Sequence, residues 1–456
     1  MSTYLSLSED PIAAIATPFG EGAIGVIRTS GENCIELCAS LFSRSDELLS
    51  APGHTVHYGH VLDPQTGQHL DEVLAAVFRG PRSYTGQDSV EISCHGSPAG
   101  MQSIMGVLLR NGFRSAEPGE FTLRAFLNGK MDLTRAEAVQ EIVSAKTRTA
   151  HSLALSRLSG RVFERIDTVK QRMVHAMAAV SLQLDYPDDE IGEIPVPQED
   201  IDFSRNELES LRATYRSGKL YQEGVRIALA GRTNAGKSSL FNLLLREDRS
   251  IVSETHGTTR DYIETHISIQ GVPIRLFDTA GLRKTDELIE FEGIRRSGMI
   301  IDSAALVLYV IDGTEGCSED DCERLQQIAE AGISCLQVWN KIDMPSTVAP
   351  PEGAVAISAQ TGQGLDNLHA AVMNAIAGGQ GVSDGAVVID SQRQHDLIDR
   401  ALAALVQVEQ DIAGGDPMDV IALDVQEVLA ALGEITGEVT SADILNEMFS
   451  GFCVGK

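Results

Sequence analysis

The eight residues Gly231-Arg-Thr-Asn-Ala-Gly236-Lys237-Ser238 stand between an apolar run, Val225 to Ala230, and the helix-like stretch Ser239 to Leu245. Strand, glycine-rich turn and helix in that order match a phosphate-binding P-loop in its required context, which places the segment in an α/β domain. Glycines let successive backbone N–H groups close around phosphate oxygens at a helix N-terminus, where the helix dipole also favours negative charge. Asn234, Ala235, Gly236 and Ser239 are therefore expected in the cradle. Lys237 should reach the β and γ phosphates, and Ser238 should offer its hydroxyl to a bound Mg²⁺.

Four later segments extend this reading. Gly257-Thr258-Thr259-Arg260-Asp261 presents threonines that can meet the metal and the γ-phosphate in a switchable loop, with Thr259 the expected Mg²⁺ contact. Asp278-Thr279-Ala280-Gly281 ends the strand Ile274 to Phe277, where an aspartate can hold Mg²⁺ through water and a glycine amide can sense the γ-phosphate. Asn340-Lys341-Ile342-Asp343 follows the apolar strand Cys335 to Trp339; the Asp343 carboxylate can accept two hydrogen bonds from guanine N1–H and N2–H₂. Ser358-Ala359-Gln360 would complete the base pocket. The five motifs in this order resemble the Ras-like GTPases, so the expected nucleotide is GTP.

Leu282 follows Gly281, where many such GTPases carry the glutamine that orients the attacking water. Glu290, in the acidic segment Asp286 to Glu290, is the preferred substitute, with a solvated helix face as the alternative reading. Asn234 is a further amide beside the β and γ phosphates. A monovalent cation held by that amide and by switch-loop carbonyls could supply the charge that an arginine finger gives elsewhere.

A length of 456 residues suggests about three domains, and 43% hydrophobic residues describe a globular chain with ample core. No stretch approaches about 18 uninterrupted apolar residues, and the first residues lack a basic region before an apolar one. A cytoplasmic protein with no membrane segment is expected. Seven cysteines without a CxxC pair point to reduced thiols, and in a period-two strand His57 would face away from His54 and His60. A net charge of −29 argues against broad electrostatic binding of nucleic acid, so any RNA contact must be local or shared with a partner. The acidic run from Asp188 through Glu193, Glu199, Asp200 and Asp202 reads as a solvated loop.

The GTPase motifs fall between about residues 224 and 379, which makes that module look inserted. Upstream, Ile142, Ala145, Thr149 and Leu153, then Leu158, Val162, Ile166, Val169, Met173, Met177, Val180 and Leu184 keep helical spacing, with a break or bend at Ser159-Gly160. Downstream, Ser391 to Ile412 and Met418 to Leu432 read as helices. Neither half holds enough apolar surface to fold alone, so the two are expected to pack as one discontinuous helical domain, residues 121–223 and 380–456, around a GTPase domain at 224–379. Residues 1–120 show short strand-like runs and turns, an α+β pattern.

Ile12 to Pro18, Val26-Ile-Arg28, Ser83-Tyr-Thr-Gly86, Pro118 to Thr122, Arg124 to Lys130 and the final Phe452-Cys453-Val-Gly-Lys456 are similar to the bacterial MnmE (TrmE) family of tRNA modification GTPases. The similarity runs over essentially the whole chain. It implies a potassium-activated GTP hydrolase that, with the FAD-dependent partner MnmG (GidA) in a heterotetramer, adds a carboxymethylaminomethyl or aminomethyl group to C5 of the wobble uridine of certain tRNAs. It implies an N-terminal folate-binding-like domain that makes the homodimer and takes a tetrahydrofolate derivative, 5-formyl or 5,10-methylene, as one-carbon donor. By matching motifs, Arg28, Glu91, Lys130 and Lys456 fall on folate-contacting positions, Asn234, Ser253, Thr255 and Thr258 on K⁺-contacting positions, and Glu290 on the water-handling glutamate. Cys453 falls on the family's C-terminal cysteine; a thiol role near the one-carbon donor and a small hydrophobe are its two readings. The chain departs from the family pattern at Thr233, Gln87, Ser97 and Glu117. The alternatives are a regulatory or ribosome-assembly GTPase switch and a folate-binding structural protein with a vestigial GTPase domain.

Overall fold

The computed structural model describes residues 10–186, 195–248, 263–278, 304–378 and 385–456. Two units emerge, one of Met1–Gln140, Leu158–Arg205 and Arg400–Lys456, the other of Glu141–Arg157 and Asn206–Asp399.

The first unit opens with β1 (Ile12–Ile15), β2 (Ile24–Ser30), α1 (Cys34–Ser40), α2 (Ser45–Ser50), β3 (Thr55–Leu62), β4 (His69–Phe78), β5 (Ser89–His95), α3 (Pro98–Arg110) and β6 (Arg114–Ser115). The strands form one sheet in the order β3-β4-β5-β2-β1-β6, the α+β arrangement read from the sequence. Alternation decides which face is buried: Ile27 of β2, Val73 and Val77 of β4 and Val90 and Ile92 of β5 join Ile104 and Leu108 of α3 in one core. Pro98 opens α3, and the Ser97 hydroxyl caps it by accepting the Gly100 N–H.

The helices that follow are α4 (Glu120–Leu127), α5 (Leu133–Ser144), α6 (Arg148–Leu158), α7 (Arg161–Asp185) and α8 (Gln198–Glu223). Gly160, at φ 94°, is the left-handed residue that starts α7, in agreement with the expected break. Along α7 the buried stripe is Val162, Ile166, Val169, Met173, Ala176 and Val180. Two expectations require correction. The stripe Ile142, Ala145, Thr149, Leu153 is not one helix, because the chain breaks between α5 and α6, where Thr147 Oγ1 accepts the Ala150 N–H at 3.1 Å and donates to the Gly271 carbonyl at 2.7 Å. Glu199, Asp200 and Asp202 are not a loop but the start of α8; Asp200 is 3% exposed and meets Arg172 Nη1 at 2.8 Å and His175 Nδ1 at 2.6 Å on α7.

The second unit carries β7 (Val225–Ala230), α9 (Lys237–Asp248), β8 (Ile263–Ile269), β9 (Val272–Asp278), β10 (Leu306–Asp312), α10 (Glu319–Glu330), β11 (Cys335–Asn340), β12 (Val355–Ala356) and α11 (Leu365–Ala377). Its sheet runs β12-β11-β10-β7-β9-β8, parallel except for the β8–β9 pair. Both faces are covered, as parallel sheets require: Ile227 and Leu229 of β7 with Leu306, Leu308 and Val310 of β10 pack into one core, and Ala228, Ala230, Val307, Tyr309 and Ile311 into another. Within this unit the Arg157 side chain, 2% exposed, meets Glu141 and Asp390. The last helices are α12 (Gln392–Gly414), α13 (Met418–Thr436) and α14 (Ala442–Ser450). In the first unit α13 packs along α7, so a helix from before the GTPase motifs meets one from after them.

Candidate nucleotide site and tail pocket

Parallel α/β sheets bind ligands outside the carboxyl ends of their strands. Here those ends carry the loop after β7, Asp312 at the end of β10, Asn340 at the end of β11 and Ser358 after β12. Gly231 leaves β7 at φ 133°, and a Cβ there would stand 2.2 Å from the Val310 carbonyl, so glycine alone fits. Asn234 adopts φ 64°, a left-handed conformation that asparagine tolerates better than most residues, and its side chain is exposed. Lys237 opens α9 largely buried, with its ammonium donating to the Gly231 and Arg232 carbonyls at 2.8 and 2.6 Å. Ser238 and Ser239 are exposed in the first turn of that helix.

Asn340 joins this loop to the base-recognition segments. Its Nδ2 donates to the Ala235 carbonyl at 2.8 Å and its Oδ1 accepts the Ala359 N–H at 2.9 Å. A Cβ at Gly236 would collide with Nδ2 at 2.1 Å, which explains the second glycine of the loop. Asp343 is exposed, with one carboxylate oxygen accepting from the buried Ser358 hydroxyl at 2.6 Å; Gln360 is exposed beyond it. Lys341, at φ 66°, donates to Asp312 Oδ2 at 2.5 Å, while Thr314 donates its N–H and O–H to Asp312 Oδ1 at 3.0 and 2.7 Å. Burial would raise the Asp312 carboxyl, but Lys341 and Thr314 outweigh it and hold it below the usual range. Sequence reasoning missed Asp312 and Thr314. Their signal was an acidic residue and a glycine turn at the end of the apolar run Leu306 to Ile311.

In the first unit the C-terminal tail docks on the N-terminal sheet. Arg28 on β2 lies in register with Glu91 on β5, and its Nε donates to Glu91 Oε1 at 2.8 Å. Arg28 Nη1 donates to the Gly455 carbonyl at 3.2 Å, and the guanidinium stands 5.6 Å from the Tyr84 ring centre and 5.7 Å from that of Phe121. Gly119 and Phe121 N–H groups donate to the Cys453 and Lys456 carbonyls at 3.4 and 3.2 Å, and Phe452 is buried with Leu123, Leu133 and Phe449. Burial and the nearby Arg28 charge lower the Lys456 ammonium from its ordinary value. Lys130 Nζ donates to the Pro81 carbonyl at 2.7 Å, and Cys453 is exposed.

A family model described as "GTP-binding protein TrmE N-terminus" matches residues 11–130, and one described as "MnmE helical domain" matches residues 133–453. A Borrelia recurrentis protein described as tRNA modification GTPase MnmE is 45% identical over 459 residues, covering 98% of each chain. The chain belongs to the MnmE family of tRNA modification GTPases. MnmE proteins of Carboxydothermus hydrogenoformans, 39% identical with 99% of this chain and 100% of that one covered, and of Enterococcus faecalis, 39% identical with 98% of each covered, agree with this assignment.

Several residues expected from the GTPase motifs or from the resemblance, Ser253, Thr255, Thr258, Thr259, Thr279, Ala280, Gly281 and Glu290, lie outside the described residues, as does the acidic run Asp188 to Glu193. Asp278 ends β9, paired in register with Leu229 of β7. At two of the departures from the MnmE pattern, Gln87 Oε1 accepts from Arg124 Nη1 at 3.1 Å, and the Glu117 N–H donates to Glu120 Oε2 at 2.9 Å. Among the described residues no helix is long and apolar enough to cross a membrane, and no group of three or more His, Cys, Asp or Glu is placed to hold a metal ion.

Proposed function

We propose that this chain is a potassium-activated GTP hydrolase that works with an FAD-dependent partner, MnmG, to add a carboxymethylaminomethyl or aminomethyl group at C5 of the wobble uridine of certain tRNAs. The observation that carries the nucleotide reading is Asn340, which hydrogen-bonds the phosphate loop at Ala235 and the base loop at Ala359 with one side chain. A ligand held at both ends must present phosphates to the first and a base to the second. Asp343 selects guanine because its carboxylate accepts from N1–H and N2–H₂ together, and Ser358 fixes one of its oxygens.

This reading gives the ions the reaction needs to named residues. Ser238 stands exposed at the start of α9, and with Thr259 it would hold Mg²⁺; Asn234, turned outward by its left-handed backbone, would hold K⁺ with Ser253, Thr255 and Thr258. These cations supply positive charge where negative charge builds on the phosphate oxygens. Lys237 adds its ammonium to the same region, and Glu290 orients the attacking water.

The docked tail would take a tetrahydrofolate derivative, 5-formyl or 5,10-methylene. Arg28 and Lys456 supply cations, Glu91 a carboxylate and Tyr84 an aromatic face within one small region, with Lys130 on a neighbouring loop. A pterin presents an amidine-like edge to a carboxylate, and the folate glutamate requires cations. The folate would supply one carbon; Arg28, Glu91 and Lys456 would orient it. We assign the chain to the cytoplasm as a homodimer that contacts tRNA together with its partner.

The test is nucleoside analysis of total tRNA from a clean deletion strain. Loss of the C5 group from wobble uridines, restored by the wild-type chain, is expected; unchanged nucleosides would refute the proposal.

A further inference from the structure

Beside the phosphate loop two cysteines take no part in the function described above. Cys317 and Cys322 flank the start of α10, where Ser318 Oγ accepts the Asp321 N–H at 3.3 Å and Asp321 Oδ2 accepts the Ser318 N–H at 3.1 Å. This capping box places Cys317 just before the cap and Cys322 at the fourth helical position, the two sites whose side chains meet across a capped helix start. Their Sγ atoms lie 3.2 Å apart and both residues are exposed. Asp321 is itself anchored, since the buried Tyr309 hydroxyl donates to its Oδ1 at 2.9 Å. The backbone on either side of the pair is thus held, and a disulfide at about 2.05 Å asks the sulfurs to close by only about 1 Å. Cys34, Cys38 and Cys94, by contrast, are buried.

We propose that Cys317 and Cys322 are a modification site, forming a reversible intramolecular disulfide by exchange with a neutral low-molecular-weight disulfide. One cysteine gives its proton to solvent, and its thiolate attacks a sulfur of the reagent, RSSR; an RS⁻ leaves and takes up a proton. The second cysteine, deprotonated in turn, attacks the protein sulfur of the mixed disulfide and expels the second RS⁻, which is also protonated. The cysteine pair loses two electrons and two protons, and both appear on two molecules of RSH. Glu315, Glu319, Asp320, Asp321 and Glu323 crowd the same segment, so anionic disulfides are repelled and neutral ones admitted. Partial desolvation of its sulfur and the hydrogen bond with Cys322 push the Cys317 thiol up to about 11, so exchange accelerates as pH rises towards that value.

The bond would close a ring within a segment that touches the nucleotide site. Arg232 Nη1 of the phosphate loop donates to Glu315 Oε2 at 3.2 Å, and Glu315, Gly316 and Asp321 line a small cavity with Arg232, Thr233, Ala235 and Asp312. The disulfide would therefore restrain the flank of the phosphate loop.

The reduced full-length chain is treated with 2-hydroxyethyl disulfide without oxygen, alkylated with iodoacetamide, digested and weighed. The peptide holding both cysteines is expected to lose two hydrogens and carry no alkyl group, and dithiothreitol should reverse this. Cys322→Ser should instead retain a mercaptoethanol adduct on Cys317, because the resolving thiol is gone. Two alkylated thiols, a lasting adduct on either cysteine of the wild type, or a bond between chains, under conditions that modify Cys453, would overturn the proposal. Should that variant fail to fold, the wild-type mass and Cys317→Ser, with its adduct on Cys322, decide the matter.

Discussion

The Asn340 amide donates to the Ala235 carbonyl at 2.8 Å, so the strand that presents the base pocket and the loop that receives phosphates move as one piece. Asn340 is 2% exposed, and its loss strands a buried carbonyl and the Ala359 N–H. Asn340→Ala should cost about 2 to 6 kcal/mol of stability, at about 1–3 kcal/mol for each of the two groups left unpaired. A fluorescent-GDP titration should show affinity falling by about 10²-fold. Unchanged affinity would mean that the two loops are not coupled through this residue.

Guanine selection should rest on Asp343. Asp343→Asn keeps an acceptor for N1–H but sets a donor against the guanine N2–H₂, where xanthine carries a carbonyl, which should lower GTP affinity by about 10³-fold or more while improving binding of a xanthosine nucleotide. Competition between GTP and xanthosine triphosphate measures both changes.

Glu120 should control acid stability of the N-terminal unit. It is 5% exposed between Arg114, at 2.7 and 2.8 Å, and Arg124, at 2.8 and 3.2 Å. Burial would raise its carboxyl, but Arg114, the Glu117 N–H and Arg124 outweigh burial and lower it. A carboxyl lowered in the folded state contributes its full stability above its unfolded value, near pH 4.5, and loses it as pH falls through the lower folded value. Glu120→Gln should remove that acid-side loss, and at pH 7 it should cost about 3 kcal/mol or more because Arg124 stays buried without its carboxylate. Denaturant melts at pH 3, 5 and 7 compare the two proteins.

Docking of the tail should matter to the proposed binding of a folate and not to the binding of nucleotide. Gly455 has φ 92°, and a Cβ there would lie 2.9 Å from the Ile15 carbonyl. Gly455→Ala should displace the tail and withdraw the carbonyl that Arg28 contacts, weakening 5-formyl-tetrahydrofolate in calorimetry by about tenfold or more while fluorescent-GDP affinity stays within about twofold. Equal folate affinity in both proteins would remove the tail from the site.

Much of this molecule could be read from its sequence because the nucleotide site is built from short segments whose order is local. Gly231, Asn340 and Ser358 sit at or just beyond strand ends that apolar runs announce. Asp312 escaped notice because its role depends on Lys341, far along the chain, reaching it across parallel strands. Asp200 was misread for a similar reason: charge on a sequence says nothing of Arg172 and His175 waiting on another helix. The break at Thr147 was hidden because apolar spacing on either side of it happened to stay in phase. Arg28 and Lys456 were singled out only by resemblance, since Arg28 and Gly455 are brought together by β2 and the final turn and by no local pattern.

The most direct test of the central claim is GTP hydrolysis by the purified chain in potassium and in sodium at matched ionic strength, with Glu290→Ala alongside. The account predicts strong stimulation by potassium in the wild type and its loss in the variant. Equal rates in the two salts would contradict it.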